Sequence, residues 1–157
     1  MPEPRPDSAG VKLPPPMTFA APLVLGLVAG RWWCPLPAPP AWGSRVVGGI
    51  LFVAGLAFGG WARLLFVRRK TTVLPFRPSS VLVADGPFRF SRNPIYVAFT
   101  AIYVGISLLF RSLWPLILLP LVLIVLQKTA IDREEAYLER RFGDEYREYR
   151  KRVRRWL

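Results

Sequence analysis

In a chain of 157 residues that carries 22 Lys+Arg against 10 Asp+Glu, the adjacent carboxylates Glu134 and Glu135 are the first side chains that ask for a chemical explanation. Such a pair can accept hydrogen bonds or hold a cation. The structural account is that both complement the positive end of a helix that starts at Asp132 as N-cap. A second group of polar and aromatic residues runs through Arg89, Arg92, Asn93, Pro94, Ile95 and Tyr96. The chain has no His and a single Cys, Cys34. Those counts exclude a His-containing zinc site, a Cys-His pair, a Ser-His-Asp triad and an intrachain disulfide. Any chemistry must proceed without an imidazole base.

The elements that position these residues follow from composition. Hydrophobic residues make up 52% of the chain and charged ones 20%, with a formal net charge of +12. So much basic charge alone would suit nucleic acid, but so large an apolar fraction needs a bilayer as its solvent, so no nucleic-acid partner is expected. The chain reads as all-α, a polytopic membrane protein with four transmembrane helices, two of them forming a tight C-terminal hairpin, plus an amphipathic C-terminal helix. Residues 1–16, with prolines at 2, 4, 6, 14, 15 and 16, read as a disordered tail. Residues 17–67 hold two transmembrane helices, the first over 17–29 and the second over 46–67, and residues 68–157 hold the functional core. Gly26 with Gly30 and Gly55 with Gly59 are small-xxx-small pairs through which the first two helices are expected to approach. A basic, proline-containing loop over 68–93 leads to a third span that opens on Pro94, a favoured first helical residue. Arg111 and Ser112 separate it from a fourth over 113–126. Spans of about 15 residues reach only ~23 Å, short of a ~30 Å hydrocarbon core, which suggests a thin or tilted hairpin.

Of the 22 Lys+Arg, 18 fall in the tail, the central loop and the C-terminal segment, all on one side of this arrangement. The positive-inside rule makes that side cytoplasmic, in an inner (plasma) membrane. The last segment repeats apolar residues at helical spacing (Leu138, Phe142, Tyr146, Tyr149, Val153 and Trp156), with Gly143 as a break and a basic face suited to anionic headgroups. Tyr137, Tyr146 and Tyr149 read as interfacial anchors.

Two stretches depart from this generic pattern: Ser80-Val-Leu-Val-Ala-Asp-Gly-Pro-Phe-Arg-Phe-Ser-Arg-Asn-Pro-Ile-Tyr96 and Glu134-Glu-Ala-Tyr-Leu-Glu-Arg-Arg-Phe-Gly-Asp-Glu-Tyr-Arg-Glu-Tyr149. In this order, on either side of a hydrophobic hairpin, they resemble the isoprenylcysteine carboxyl methyltransferase family and its phospholipid methyltransferase relatives. The resemblance covers residues 73–156. It implies an integral membrane enzyme that uses S-adenosyl-L-methionine to methylate a lipophilic small molecule or lipidated substrate drawn from the membrane lipid. Carried over position by position, the cofactor contacts fall on Ser80, Val81, Leu82, Val83, Phe88, Asn93, Pro94, Ile95, Tyr96 and Glu134, with Arg92 and Glu135 as catalytic candidates and no metal.

Chemically, the acid pair can accept from the cofactor's ribose hydroxyls or pair with its ammonium, Phe88 and Tyr96 can face a cation, and Arg92 can bind a carboxylate. A carboxylate acceptor needs no general base, which favours it over an amine in a chain without His. Asn93 stands where the family has His, Ala98 where it usually has Gly, and Ala130 where the eukaryotic enzymes carry a substrate-binding Arg. The cofactor therefore carries over better than the substrate does. The alternatives are an amine or phospholipid N-methyltransferase and a non-catalytic scaffold or lipid-binding protein that keeps the fold.

Overall fold

The computed structural model describes residues 14–34, 36–37, 39–69 and 82–157. Residues 1–13 of the expected tail, and Ser80 and Val81 of the expected cofactor strip, lie outside the described residues.

Among the described residues all regular structure is helical. Helix α1, Pro15–Val28, continues through a π turn, Ala29–Trp33. It starts two residues earlier than the composition suggests, because Pro15 and Pro16 occupy positions whose missing N–H groups need no partner. Helix α2, Ala41–Arg68, is followed after the central loop by α3, Pro94–Leu109, and α4, Trp114–Leu126.

Helix α4 does not stop where the apolar run ends. A π turn, Gln127–Ile131, carries it directly into α5, Asp132–Phe142. Ile131 has helical dihedrals (φ −60°, ψ −50°), and Asp132 makes no capping bond. The expected N-cap is therefore absent, and Glu134 and Glu135 do not answer an exposed helix dipole. At Gly143 the backbone takes φ +53°, which ends α5 and lets α6, Asp144–Arg152, set off in a new direction. The break expected at this glycine is present.

Two continuous helices, Ala41–Arg68 and Trp114–Phe142, are long and apolar enough to cross a membrane. Only 11% and 28% of their apolar windows are buried inside the protein, so most of that surface is not the core of a soluble domain and needs lipid around it. The helix α3, with 16 residues, is shorter. The protein is membrane-associated through these apolar faces.

The third and fourth helices are joined by a short turn in which Arg111 adopts φ +54°, yet they splay rather than form the tight hairpin expected. Helix α3 lies mainly along α2, while α1 lies along α4 and also reaches α3. Phe19 of α1 packs its ring 5.7 Å from Phe99 and 6.1 Å from Tyr103, in one core with Val122, Leu126, Ala130 and Ile131. The Tyr103 hydroxyl donates to the Pro115 carbonyl at 2.8 Å and ties α3 to α4 across that core.

Glycines set these pairings. A Cβ on Gly105 would fall 2.7 Å from Phe52 N, one on Gly48 would fall 2.8 Å from Gly105 O, and one on Gly55 would fall 2.9 Å from Ala98 O. On α1, a Cβ at Gly26 would fall 2.7 Å from Pro115 N, and one at Gly30 would fall 2.7 Å from Ser112 Oγ. The small residues mediate close approach as expected, but they join α2 to α3 and α1 to α4 instead of α1 to α2. In lipid, helices gain little from burying apolar surface, so backbone proximity decides which pairs form.

A second core lies at the end of α2, where Ala62, Val83, Phe88, Tyr146 and Tyr149 are buried together with Leu138, Phe142 and Val153 packed on them. The apolar stripe of α5 and α6 therefore packs against protein. Tyr137, Tyr146 and Tyr149 are buried instead of anchoring at an interface, the last two within that core.

The Gly105→Ala substitution is expected to destabilise the protein by about 1–3 kcal/mol through overpacking. Gly49→Ala is expected to be neutral, since a Cβ at Gly49 meets nothing within 4 Å. Thermal unfolding in detergent compares the two, and equal midpoints would contradict the α2–α3 contact.

Candidate functional site

The polar site is assembled where the start of α3, the first turn of α5 and residues 153–156 meet. Asn93 keeps a non-helical backbone (φ −127°, ψ 52°) ahead of Pro94, as a residue before proline tends to. That places Tyr96 in the first turn of α3, and its hydroxyl donates to Glu134 Oε1 at 2.6 Å. The contact closes a gap of 38 residues. It has the length of a charge-assisted O–H···O bond.

Glu135, one residue further on, faces arginines instead. The Arg155 guanidinium donates to both its oxygens, Nε to Oε1 at 3.1 Å and Nη2 to Oε2 at 2.6 Å. Arg92 Nη1 lies 3.1 Å from Oε1, with both side chains only 10% exposed. Arg155 Nη1 also reaches Asp132 Oδ1 at 3.2 Å. The backbone beside this knot is stitched as well. The Arg155 carbonyl accepts from Ser91 Oγ at 3.2 Å and from Asn93 Nδ2 at 3.0 Å, and the Arg154 carbonyl accepts from the Arg92 N–H at 2.9 Å.

The remaining candidates form the apolar side. Val83 and Phe88 are buried, and Leu82 and Ile95 pack on the same core. The Phe88 ring meets Phe66 edge-on at 5.2 Å, and its carbonyl accepts the Tyr149 hydroxyl at 2.8 Å. Thus Arg92, Asn93, Pro94, Tyr96, Glu134 and Glu135 come together. Phe88, read from the sequence as a possible face for a cation, belongs to the apolar core with Leu82, Val83 and Ile95. Arg89 is exposed, and Ala130 is fully buried in the α1–α4 core.

Two features point to a ligand. The first is Glu134, which lies beyond the apolar part of its helix, where the charged run begins at Asp132. Burial pushes its carboxyl up to about 7, the Tyr96 hydrogen bond works in the opposite direction, and the neighbouring Glu135 charge adds to the rise. The second is the buried Arg92 guanidinium. Its Nη1 is held in the ion pair with Glu135, while its Nε is buried without a hydrogen-bond partner, although buried polar groups are nearly always paired. Burial raises the Tyr146 pKa, Glu135 raises it further, and Arg92 pulls it back. The site therefore offers an acid that can receive hydroxyls or an ammonium, and a guanidinium whose Nε is open to a carboxylate. A ligand that carries both kinds of group, as S-adenosylmethionine does, fits these residues.

Sequence reasoning missed Ser91, Asp132, Tyr146 and Arg155 as members of this site. Ser91 lies inside the recognised motif and is fully buried, whereas nothing in the local sequence separates Arg155 from the arginines around it.

Residues 44–145 match the family described as Phospholipid methyltransferase. An uncharacterized protein of Haemophilus influenzae is 57% identical over 35 residues, which are 22% of this chain and 56% of that protein. A Protein-S-isoprenylcysteine O-methyltransferase of Schizosaccharomyces pombe is 40% identical over 73 residues, which are 46% of this chain and 31% of that protein. The chain thus spans about half or less of the length of these curated relatives. No solved structure matches. The family match takes in α2, the loop described from Leu82, α3, α4 and the acid pair, well over half of the sequence, and by it the chain belongs to the phospholipid methyltransferase family.

Proposed function

We propose that this chain is a membrane methyltransferase that takes its methyl group from S-adenosylmethionine and gives it to a lipophilic acceptor. The observation that carries this reading is the Tyr96–Glu134 contact at 2.6 Å beside the buried Arg92 guanidinium, whose Nε has no hydrogen-bond partner. In it, Glu134 receives the cofactor's hydroxyls or ammonium, Arg92 holds its carboxylate, and Tyr96 fixes the orientation of the Glu134 side chain. S-adenosylmethionine supplies a methyl carbon already activated by its sulfonium. The protein's own contribution is then to align acceptor with donor and keep water out, a task suited to a crevice beside a bilayer.

The acceptor we favour is a carboxylate on a lipid-modified molecule. It needs no proton removed, the chain has no His, and one relative is named as an O-methyltransferase acting on isoprenylcysteine. An amine acceptor is the second reading. It draws on Glu134, whose carboxyl near 7 is able to take up a proton at neutral pH. The proposed topology has four spans, with both termini and the site on the cytoplasmic face of the plasma membrane. It rests on the distribution of Lys and Arg.

Titration of the detergent-purified protein with S-adenosylhomocysteine tests the cofactor. Saturable binding is expected in the wild type, about tenfold weaker binding in Tyr96→Phe for loss of one charge-assisted bond, and none measurable in Glu134→Ala. A folded wild type that binds nothing would leave the non-catalytic reading standing.

The same titration has a pH signature. Because Glu134 must lose its proton to pair with a cation, affinity should climb by up to about tenfold per pH unit below pH 7 and level off above it. Glu134→Gln should flatten that dependence. Incubation with methyl-labelled cofactor and lipid extract identifies the acceptor. Label released by mild base is a carboxyl ester, and base-stable label on an amine would overturn the carboxylate assignment.

A further inference from the structure

The arginine knot lies partly outside the segment that matches the family, which ends at residue 145. Arg155 is its hub. The side chain forks onto Glu135 in α5, at 3.1 and 2.6 Å, and reaches Asp132 at 3.2 Å. Its carbonyl, facing the other way, accepts from Ser91 and Asn93 in the loop that opens α3. One residue therefore grips both elements that carry the Tyr96–Glu134 contact.

Two consequences follow from charge and geometry. Glu134 and Glu135 are adjacent carboxylates in a poorly hydrated place, and two such charges repel unless one is compensated. Arg155, with Arg92 on the other side, takes up the Glu135 charge, so Glu134 is left as the acid able to receive a cation. The planar fork also sets the rotation of the first turn of α5, because a bidentate guanidinium–carboxylate pair defines direction as well as distance. With the Asn93 amide held on the Arg155 carbonyl, the start of α3 cannot slide against α5. We propose that Arg155 is a positioning residue for the cofactor site, acting through Glu135 and through the 91–93 loop to hold Glu134 opposite Tyr96.

This inference rests on the methyltransferase reading for its cofactor and on the ligand-free geometry for the rest. The test uses the full chain in detergent and three variants: Arg155→Ala, Arg155→Lys and, as control, Arg154→Ala, whose side chain is exposed and whose carbonyl contact survives the change. Affinity for S-adenosylhomocysteine should fall about ten- to a hundredfold in Arg155→Ala, the scale on which outer supports of a site act. Arg155→Lys should recover part of the loss, since it restores the charge without the fork, and Arg154→Ala should match wild type. In turnover, the KM for the methyl donor should rise in Arg155→Ala while the KM for the lipid acceptor stays put.

Wild-type affinity in Arg155→Ala would overturn the proposal. So would a loss of binding shared by all three variants, or one that Lys does not rescue and that tracks a lowered melting temperature. Hydrogen exchange of the ligand-free protein keeps the two readings apart. If the wild type binds no cofactor, the methyltransferase reading falls, while faster exchange over residues 91–97 in Arg155→Ala than in Arg154→Ala still supports the positioning role. Equal exchange in the two variants overturns it.

Discussion

The structure around the site depends on one buried negative charge. Glu135 lies on a helix surface with a tenth of its side chain exposed, between Arg92 and Arg155. An unpaired carboxylate there would be costly, and breaking a buried ion pair by removing one partner costs about 3–5 kcal/mol. Three segments distant in sequence must therefore meet: the loop before α3, the first turn of α5, and the residues after α6. Once they do, the backbone bonds from Ser91, Arg92 and Asn93 to residues 154 and 155 form in the same place. The electrostatic requirement and the hydrogen-bond requirement are satisfied by the same arrangement, which is why this corner closes although the described residues of the loop form a single short 3-10 turn, Gly86–Arg89.

The apolar helices supply the frame in which that knot can close. Their order in space is set by where backbones can touch, with Gly48, Gly55 and Gly105 joining α2 to α3 and Gly26 and Gly30 joining α1 to α4. Helix α3 is held between α2 and α1, so its short length matters less than it would for a lone span. Continuity from α4 to α5 is the second part of the frame. The π turn Gln127–Ile131 adds one residue to the helical circuit, and such an insertion re-aims every side chain that follows it. π turns recur at functional sites for this reason. Here the re-aimed residues include Glu134, turned to Tyr96, and Glu135, turned to the arginines.

Much of this was legible in the sequence, for identifiable reasons. Helical class and the short apolar runs follow from composition. Pro94 marks a helix start because its ring and missing N–H suit that position, and Gly143 marks a break because it is free to adopt positive φ. The proximity of Tyr96 and Glu134 follows from two helices that return to one face. What the sequence concealed is what local pattern does not encode. A charged run beginning at Asp132 looks like a new helix, and only the backbone shows a continuous one. Glycine pairs announce that a close neighbour exists without saying which. Amphipathic spacing in α5 and α6 shows that one face is covered, and it does not distinguish protein from lipid as the cover. Arg155 was invisible because its importance lies in its partners and not in its type.

The absence of histidine changes meaning once Asn93 is located. In the resemblance drawn from the sequence, Asn93 replaces a His, which looks like the loss of a titratable group from a reactive centre. In the structure its amide spends one N–H on the Arg155 carbonyl, and its own backbone N–H goes to Ser91 Oγ. A side chain in this position is required to donate a hydrogen bond to a carbonyl and to precede a proline with an extended backbone. Asparagine meets both demands at any pH, whereas an imidazole meets them and also titrates near neutrality. Asparagine at this position thus keeps the link between the loop before α3 and the residues after α6 without a titratable ring, where the side chain is already occupied with holding the backbone together. On the proposed reading, any proton taken up near this site goes to Glu134, the carboxyl whose burial brings it close to neutral pH.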